Sequence, residues 1–427
     1  MTKAANLKMS KWIIGLLLMC GHWTSAQQNT VLTLERCLEM AEQNYPLIKQ
    51  YELIEKTKEY GVANAQKGYL PQLNVAGQAT YQSEVTQVPV ALPNGDIPTI
   101  SKDQYRWYGE VSQSITDLFT LKDQKEYIHT GAEIETQETE VALYTLRERI
   151  NHLYFGILLI EAQIQQTVLL KKDIQVGIET TKVAIANGIA LKSAADNLKA
   201  ELLKVEQRAI ELQATRKGYA DMLALFIGRP VDENTRLEKP PRQILTNTLS
   251  RPELTLFDLR KKSLDVQNRL ITAKNLPRIS LFIQGGLGRP GLNMLNPDAE
   301  AYYIGGLRLG WNVTGFYTAR NERNMLALQQ QGIDLQKETF LFDTRLRLKQ
   351  QNAEIIKMLE LIETDKSIVA LRESVKQTAQ QQLAYGTATT NDYFTAVNAE
   401  DQARQSLILH EIQLLMYEHQ AQTTTGN

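Results

Sequence analysis

Residues 313–386 read VTGFYTARNERNMLALQQQGIDLQKETFLFDTRLRLKQQNAEIIKMLELIETDKSIVALRESVKQTAQQQLAYG. The run holds no proline, and Leu341, Leu348, Ile355, Ile362 and Val369 fall on a seven-residue column. That spacing keeps one apolar stripe on a helix face, as in a coiled coil. A helix of about 70 residues is about 105 Å long, far beyond the needs of a globular domain. The column has no clean companion on its own helix, so its mates are expected from a neighbouring one. A run of equal length, Ile115 to Gly188, also lacks proline. It carries Leu143, Ile150, Ile157 and Ile164 on one column, with Leu146, Leu153 and Ile160 beside them.

The surroundings of the two runs match as well. Each closes at a glycine turn, Asn187-Gly188 and Tyr385-Gly386, after which an amphipathic helix returns, over about Ala194 to Gly228 and Asp392 to Gln420. Upstream, helices are predicted from Leu34 to Gly68 and from Pro252 to Leu276, the second opened by a capping box of Ser250 and Glu253. Both stop at a Leu-Pro pair, Leu70-Pro71 and Leu276-Pro277, because proline cannot continue a helix. Strands follow. Leu73, Val75, Gly77, Ala79 and Tyr81 alternate with Gln72, Asn74, Gln78 and Thr80, and Ile279, Leu281, Ile283 and Leu287 with Ser280 and Gln284. The return strands place Tyr105, Trp107, Val111 and Ile115, and Tyr303, Leu307, Leu309, Trp311 and Val313, on their apolar faces. Turn-rich loops, Pro89 to Lys102 and Gly288 to Glu300, join the strands of each pair.

The chain therefore divides into residues 1–26, a first repeat over 27–228, a proline-bearing linker over 229–249, and a second repeat with a C-terminal tail over 250–427. Residues 1–26 read as an export signal: Lys3, Lys8 and Lys11, an apolar core from Trp12 to Cys20, then Thr24-Ser25-Ala26 before the cut. Lipidation at Cys20 is disfavoured by the large Met19 before it. Beyond the signal Cys37 stands alone, so no internal disulfide is expected and packing must supply stability.

Composition excludes several classes. Lys+Arg 47 against Asp+Glu 48 leaves a net charge of −1, with nothing to attract a nucleic acid. No stretch after residue 26 reads as long and apolar enough for a transmembrane helix, so any span must be made of strands. His410-Glu411 lacks the second histidine of a zinc protease helix, and His129, His152, His410 and His419 read as solvated surface. Gly285-Gly286-Leu287-Gly288 lacks the lysine of a phosphate loop and reads as barrel curvature. Lys171-Lys172 and Lys261-Lys262 read as isolated solvated pairs. No catalytic residue, cofactor or metal is expected.

Four two-faced strands cannot lie open in a bilayer, because their edges would leave backbone groups unsatisfied. Closure needs other copies, and three give a twelve-stranded barrel, within the known range. The order of elements resembles the TolC-like outer membrane efflux family. So do the strings Leu32-Thr-Leu-Glu-Arg-Cys-Leu38, Val111-Ser-Gln-Ser-Ile-Thr-Asp117, Asn187-Gly-Ile-Ala-Leu-Lys-Ser193 and Tyr385-Gly-Thr-Ala-Thr-Thr-Asn-Asp-Tyr-Phe394. The fold expected is an α+β membrane protein, a two-repeat protomer of long coiled-coil helices plus four β-strands, trimerising into the barrel and an α-helical tunnel. The resemblance implies a homotrimeric exit duct in the cell outer membrane, its tunnel in the periplasm, working with a periplasmic adaptor and an inner-membrane pump. A second class, an exported coiled-coil scaffold or adhesin, would need no lipid-facing sheet.

The resemblance also implies site residues. Adaptor docking falls on Asn187, Gly188, Leu191, Lys192 and Ser193, and on Gly386, Thr387, Thr389, Thr390 and Asn391. Asp392 matches one of two carboxylates of an acidic aperture ring; the other position is Thr395, which departs from it. Asp near a helix start is equally a cap. Val75, Tyr81, Trp107, Leu281, Ile283 and Trp311 are expected to face outer-membrane lipid.

Overall fold

The computed structural model describes residues 31–87, 99–243 and 248–426; the expected export signal over residues 1–26 and part of the first hairpin loop lie outside them. Helices α1 (Leu34–Asn44) and α2 (Gln50–Gln66) lead into strands β1 (Gln72–Tyr81) and β2 (Asp103–Ser114). Helices α3 (Ile115–Tyr144), α4 (Leu146–Ala186) and α5 (Lys192–Ile227) follow. The second half repeats the plan with α6 (Pro252–Lys274), β3 (Arg278–Arg289), β4 (Glu300–Gly310), α7 (Phe316–Ala384) and α8 (Thr390–Thr425).

The strands form one antiparallel sheet in the order β1-β2-β3-β4. Opposed residues share a face. The rows Leu73–Val111–Ile283, Gly77–Trp107–Leu287 and Leu281–Leu307 gather the apolar side chains, and Asn74–Glu110–Gln284 the polar ones. The apolar and polar faces are therefore those that the alternation predicts.

Beneath the sheet, neighbouring helices pack in the order α2, α3, α6, α7. Farther down, the hairpins α4–α5 and α7–α8 join through α4 and α8. The α4 column is buried as its spacing requires: Ile150 and Ile157 are sealed, and Leu146, Leu153 and Ile160 nearly so. The α7 column finds its mates on α8, where Leu414 and Ala421 pack with Ile355, Met358 and Ile362.

The boundaries depart from expectation in several places. Tyr45 is extended before Pro46, so the first helix breaks into α1, a short 3-10 turn and α2. Thr145 interrupts the first long run, whereas α7 runs unbroken. Ile115 opens α3 rather than ending β2. β4 ends at Gly310, so Trp311 and Val313 lie past the sheet. Trp311 is held there instead: its Nε1 donates to the Asn275 carbonyl at 3.1 Å, and its ring meets Phe316 edge-on. The Ser250–Glu253 capping box does not form. Arg251 is the N-cap, Glu253 pairs with it, and Ser250 Oγ donates to the Gly426 carbonyl. Helix α8 continues past Gln420 to Thr425, with Thr424 and Thr425 buried, so the described residues show helix where a tail was expected.

Two further expectations fail for one reason, burial. The run Ile115–Ala186 does contain a stretch long and apolar enough to cross a membrane, half of it buried within the protomer. Its α4 part is the central core helix, carrying Tyr154, Phe155 and Ile157 against α1, α5 and α8. His419 is likewise no surface residue: it is 4% exposed and its Nδ1 meets the Leu415 carbonyl at 2.9 Å. His410 pairs with Asp365 at 2.5 Å, and the lysine pairs have partners too, Lys171 with Glu206, Lys261 with Asp334 and Lys262 with Glu133. Cys37 is fully buried, and desolvation pushes its thiol up to about 12, which keeps it unreactive.

Candidate channel surfaces

At one end of the protomer, each long hairpin turns on a glycine. Gly188 has φ +74 and Gly386 φ +73, a region costly for a residue with a Cβ. The bonding is the same at both. Gly188 N–H reaches Ile185 O and Ile189 N–H reaches Ala184 O; Gly386 N–H reaches Leu383 O and Thr387 N–H reaches Gln382 O. A Cβ on Gly386 would lie 3.5 Å from Ile189, so the two tips sit side by side.

The tips differ in how the returning helix starts. Leu191 caps α5 without a side-chain bond. Thr389 and Asp392 cap α8 reciprocally: Thr389 N–H donates to Asp392 Oδ2 at 2.9 Å, and Asp392 N–H to Thr389 Oγ1 at 3.1 Å. The Thr389 hydroxyl, then its backbone N–H, hold the Asp392 carboxyl below the usual carboxylate range.

Of the residues expected to dock a partner, Asn187, Gly188, Leu191, Lys192, Ser193, Gly386, Thr387, Thr389 and Asn391 are exposed together at this end. Thr390 is not. It is buried, its hydroxyl 3.1 Å from that of Thr181 on α4, because the helix start turns it inward. Ile189 and Tyr385, outside the expected set, are 64% and 84% exposed. An apolar residue beside a tight-turn glycine was the available signal.

Just above, Tyr393 pins α8 to α4. It is 1% exposed, its hydroxyl donates to Asp173 O at 2.8 Å, and burial pushes it up to about 12. Gly177 leaves room for its ring, since a Cβ there would lie 2.6 Å from Tyr393 Cε1. Charges cluster beside it, with Glu400 and Asp401 buried among them. Lys376 lies between Asp173 at 2.9 Å and Glu400 at 3.5 Å, Arg404 joins Glu400 to Glu373, and Asp401 accepts from Gln166 at 3.0 Å.

At the other end the sheet is bare on its apolar face. Val75, Tyr81, Trp107, Leu281 and Ile283 share that face and are between 50% and 75% exposed. The opposite face holds a charge pair, with Arg308 bonding Glu110 through both nitrogens while its guanidinium stacks 4.3 Å over Phe282. No group of metal-binding side chains occurs among the described residues.

No protein-family model and no curated protein matches the sequence. Solved structures do match in shape. The outer membrane protein VceC from Vibrio cholerae superposes with TM-score 0.66 at 15% identity, over 92% of this chain and 96% of its own. The CmeC outer membrane channel of Campylobacter jejuni gives 0.64 at 11%, over 99% and 94%. The open state of the Neisseria gonorrhoeae MtrE outer membrane channel gives 0.65 at 14%, over 92% and 89%. Open-edged sheet, paired long hairpins and near-complete mutual coverage agree: this chain has the fold of the TolC-like outer membrane channels.

Proposed function

We propose that the chain is the exit duct of a tripartite efflux or secretion system, passing substrates from periplasm to exterior with no chemistry of its own. Three copies would close one barrel in the outer membrane and one helical tunnel in the periplasm. The observation that carries this reading is that every layer of the protomer is open at both edges. The sheet ends at β1 and β4, the upper helical layer at α2 and α7, and the lower at α5 and α7. These edge helices expose apolar residues at seven-residue spacing: Leu53 and Tyr60 on α2, Leu203 and Ile210 on α5, Leu328, Leu335 and Phe342 on α7. An exposed apolar surface of this extent marks an interface, and a closed ring of copies covers both edges at once. Lipid would cover the apolar sheet face. The glycine tips would meet a periplasmic adaptor, with an inner-membrane pump behind it. Native mass measurement in detergent should give three chains, and the same preparation should conduct ions in a planar bilayer. A monomer that conducts overturns the reading.

A further inference from the structure

The two halves of the chain are related by fixed steps. Glu110 and Arg308 are 198 residues apart, as are Gly188 and Gly386, and Gly228 and Gly426. This step carries β2 onto β4 and α3 onto α7. The Leu-Pro pairs carry β3 back onto β1 and α6 back onto α2, Pro277 falling on Pro71. The junction between the halves, β2 against β3 and α3 against α6, is present in the chain. Its counterpart, β4 against β1 and α7 against α2, can exist only between copies.

Resting on the trimeric reading above, we propose that a second copy of this chain joins β4 to β1 in the register of the internal β2–β3 junction. Internally, Trp107 opposes Leu287, Gly109 opposes Gly285 and Val111 opposes Ile283. Carried over, Gly305 opposes Tyr81 of the next copy, Leu307 opposes its Ala79, and Leu309 opposes its Gly77. Each pair sets a large side chain against a small one, as Trp107 is set against Gly77 and Phe282 against Gly306 within the sheet. A shift of two residues keeps the faces but loses the fit. One direction opposes Leu309 to Val75, and the other Leu307 to Tyr81.

The helices support the same seam. Tyr60 and Leu328 are 71% and 66% exposed, while their internal counterparts Val266 and Thr130 are both at 0%. Ion pairs hold α3 to α6: Glu133 with Lys262, Glu138 with Arg260, and Asp123 and Glu126 with Arg269. The corresponding α7 positions are the uncharged Asn321, Asn324, Gln331 and Gln336. At these α7 positions the seam between copies is therefore uncharged where the internal junction is ionic.

Cysteine pairs in the full chain, oxidised in membranes, test this. Directly opposed antiparallel residues lie within disulfide reach, whereas pairs displaced by two lie about 7–8 Å apart. Ala79→Cys with Leu307→Cys should give covalent dimers and trimers on a non-reducing denaturing gel, as should Tyr60→Cys with Leu328→Cys. Val75→Cys with Leu309→Cys, and Tyr81→Cys with Leu307→Cys, should not. A ladder from either displaced pair, or a native trimer with no ladder from Ala79 and Leu307, overturns the register and leaves the duct standing. A monomer by native mass overturns both.

Discussion

Glu110 and Arg308 stand at corresponding positions of the two repeats and form a two-pronged ion pair, at 2.8 and 2.9 Å, across the intervening strand β3. One site in a common plan has become an acid in the first half and a base in the second. The bond crosses the junction between halves, with Phe282 as the platform under the guanidinium.

On the polar face of the sheet this pair would line the barrel lumen, where each charge cancels the other. Arg308→Gln should leave uncompensated carboxylates and shift the reversal potential in a salt gradient toward cation preference. Glu110→Gln should shift it the opposite way, and the double variant should restore the original value. Identical reversal potentials in all four proteins would place the pair away from the conduction path.

The faces of the strands make a second test. Ile283 and Gln284 are neighbours in β3 with opposite orientations. Ile283→Arg should cost about 2–4 kcal/mol if the site lies near mid-bilayer, measured by unfolding in lipid, and Gln284→Arg much less. Equal costs would mean that lipid covers neither face selectively.

What was legible in the sequence follows from periodicity. Strand faces, heptad columns and glycine turns are local patterns, and the copy of each in the second half doubled the signal. What failed depended on tertiary packing. Nothing local marks Thr145 as a break, and the burial of His419 comes from elements distant in sequence. Trp311 continues the alternation of β4 but leaves the sheet because its indole finds the Asn275 carbonyl. Ser250 and Glu253 have capping spacing, but each has a partner elsewhere. Thr390 of the expected docking set is buried because a helix start turns one residue inward, while Tyr385 and Ile189, outside that set, are exposed.

Docking at the tips is open to crosslinking in cells. Lys192→Cys and Thr387→Cys should crosslink to a periplasmic adaptor, and Thr390→Cys should not, since it is buried against Thr181. Replacing Tyr385 and Ile189 by serine should weaken adaptor capture without changing the trimer's mass. Crosslinks from sites on the Gly291 side of the sheet alone would reverse the proposed orientation.

Asp401 predicts a pH dependence. Burial pushes its carboxyl up, against the opposing pull of Gln166, Arg208 and Gln405. A folded-state pKa above the unfolded one means that the folded chain holds the extra proton, so stability rises as pH falls through the folded value. The thermal midpoint of the wild type relative to Asp401→Asn should therefore rise on acidification from neutral pH toward the ordinary carboxylate range. A constant difference would show that Asp401 is not titrating in the fold.

Asp392 separates two readings of the second tip. An aperture ring needs its charge directed at the symmetry-related copies, where like charges raise a carboxyl pKa. A cap needs its oxygen on Thr389, which depresses the pKa, and that is the geometry within the protomer. Its share of stability is then present above the unfolded pKa and lost as pH falls through the depressed folded one. Asp392→Asn retains an oxygen for the Thr389 N–H and removes the charge. It should leave cation selectivity and trivalent-cation block unchanged, with amide exchange in the first turn of α8 only slightly faster. Asp392→Ala should open that turn, with markedly faster exchange over residues 390–394 and slower adaptor crosslinking at Thr387→Cys. Loss of cation preference in Asp392→Asn, with the first turn still protected, would show instead that the carboxylate works as part of a ring.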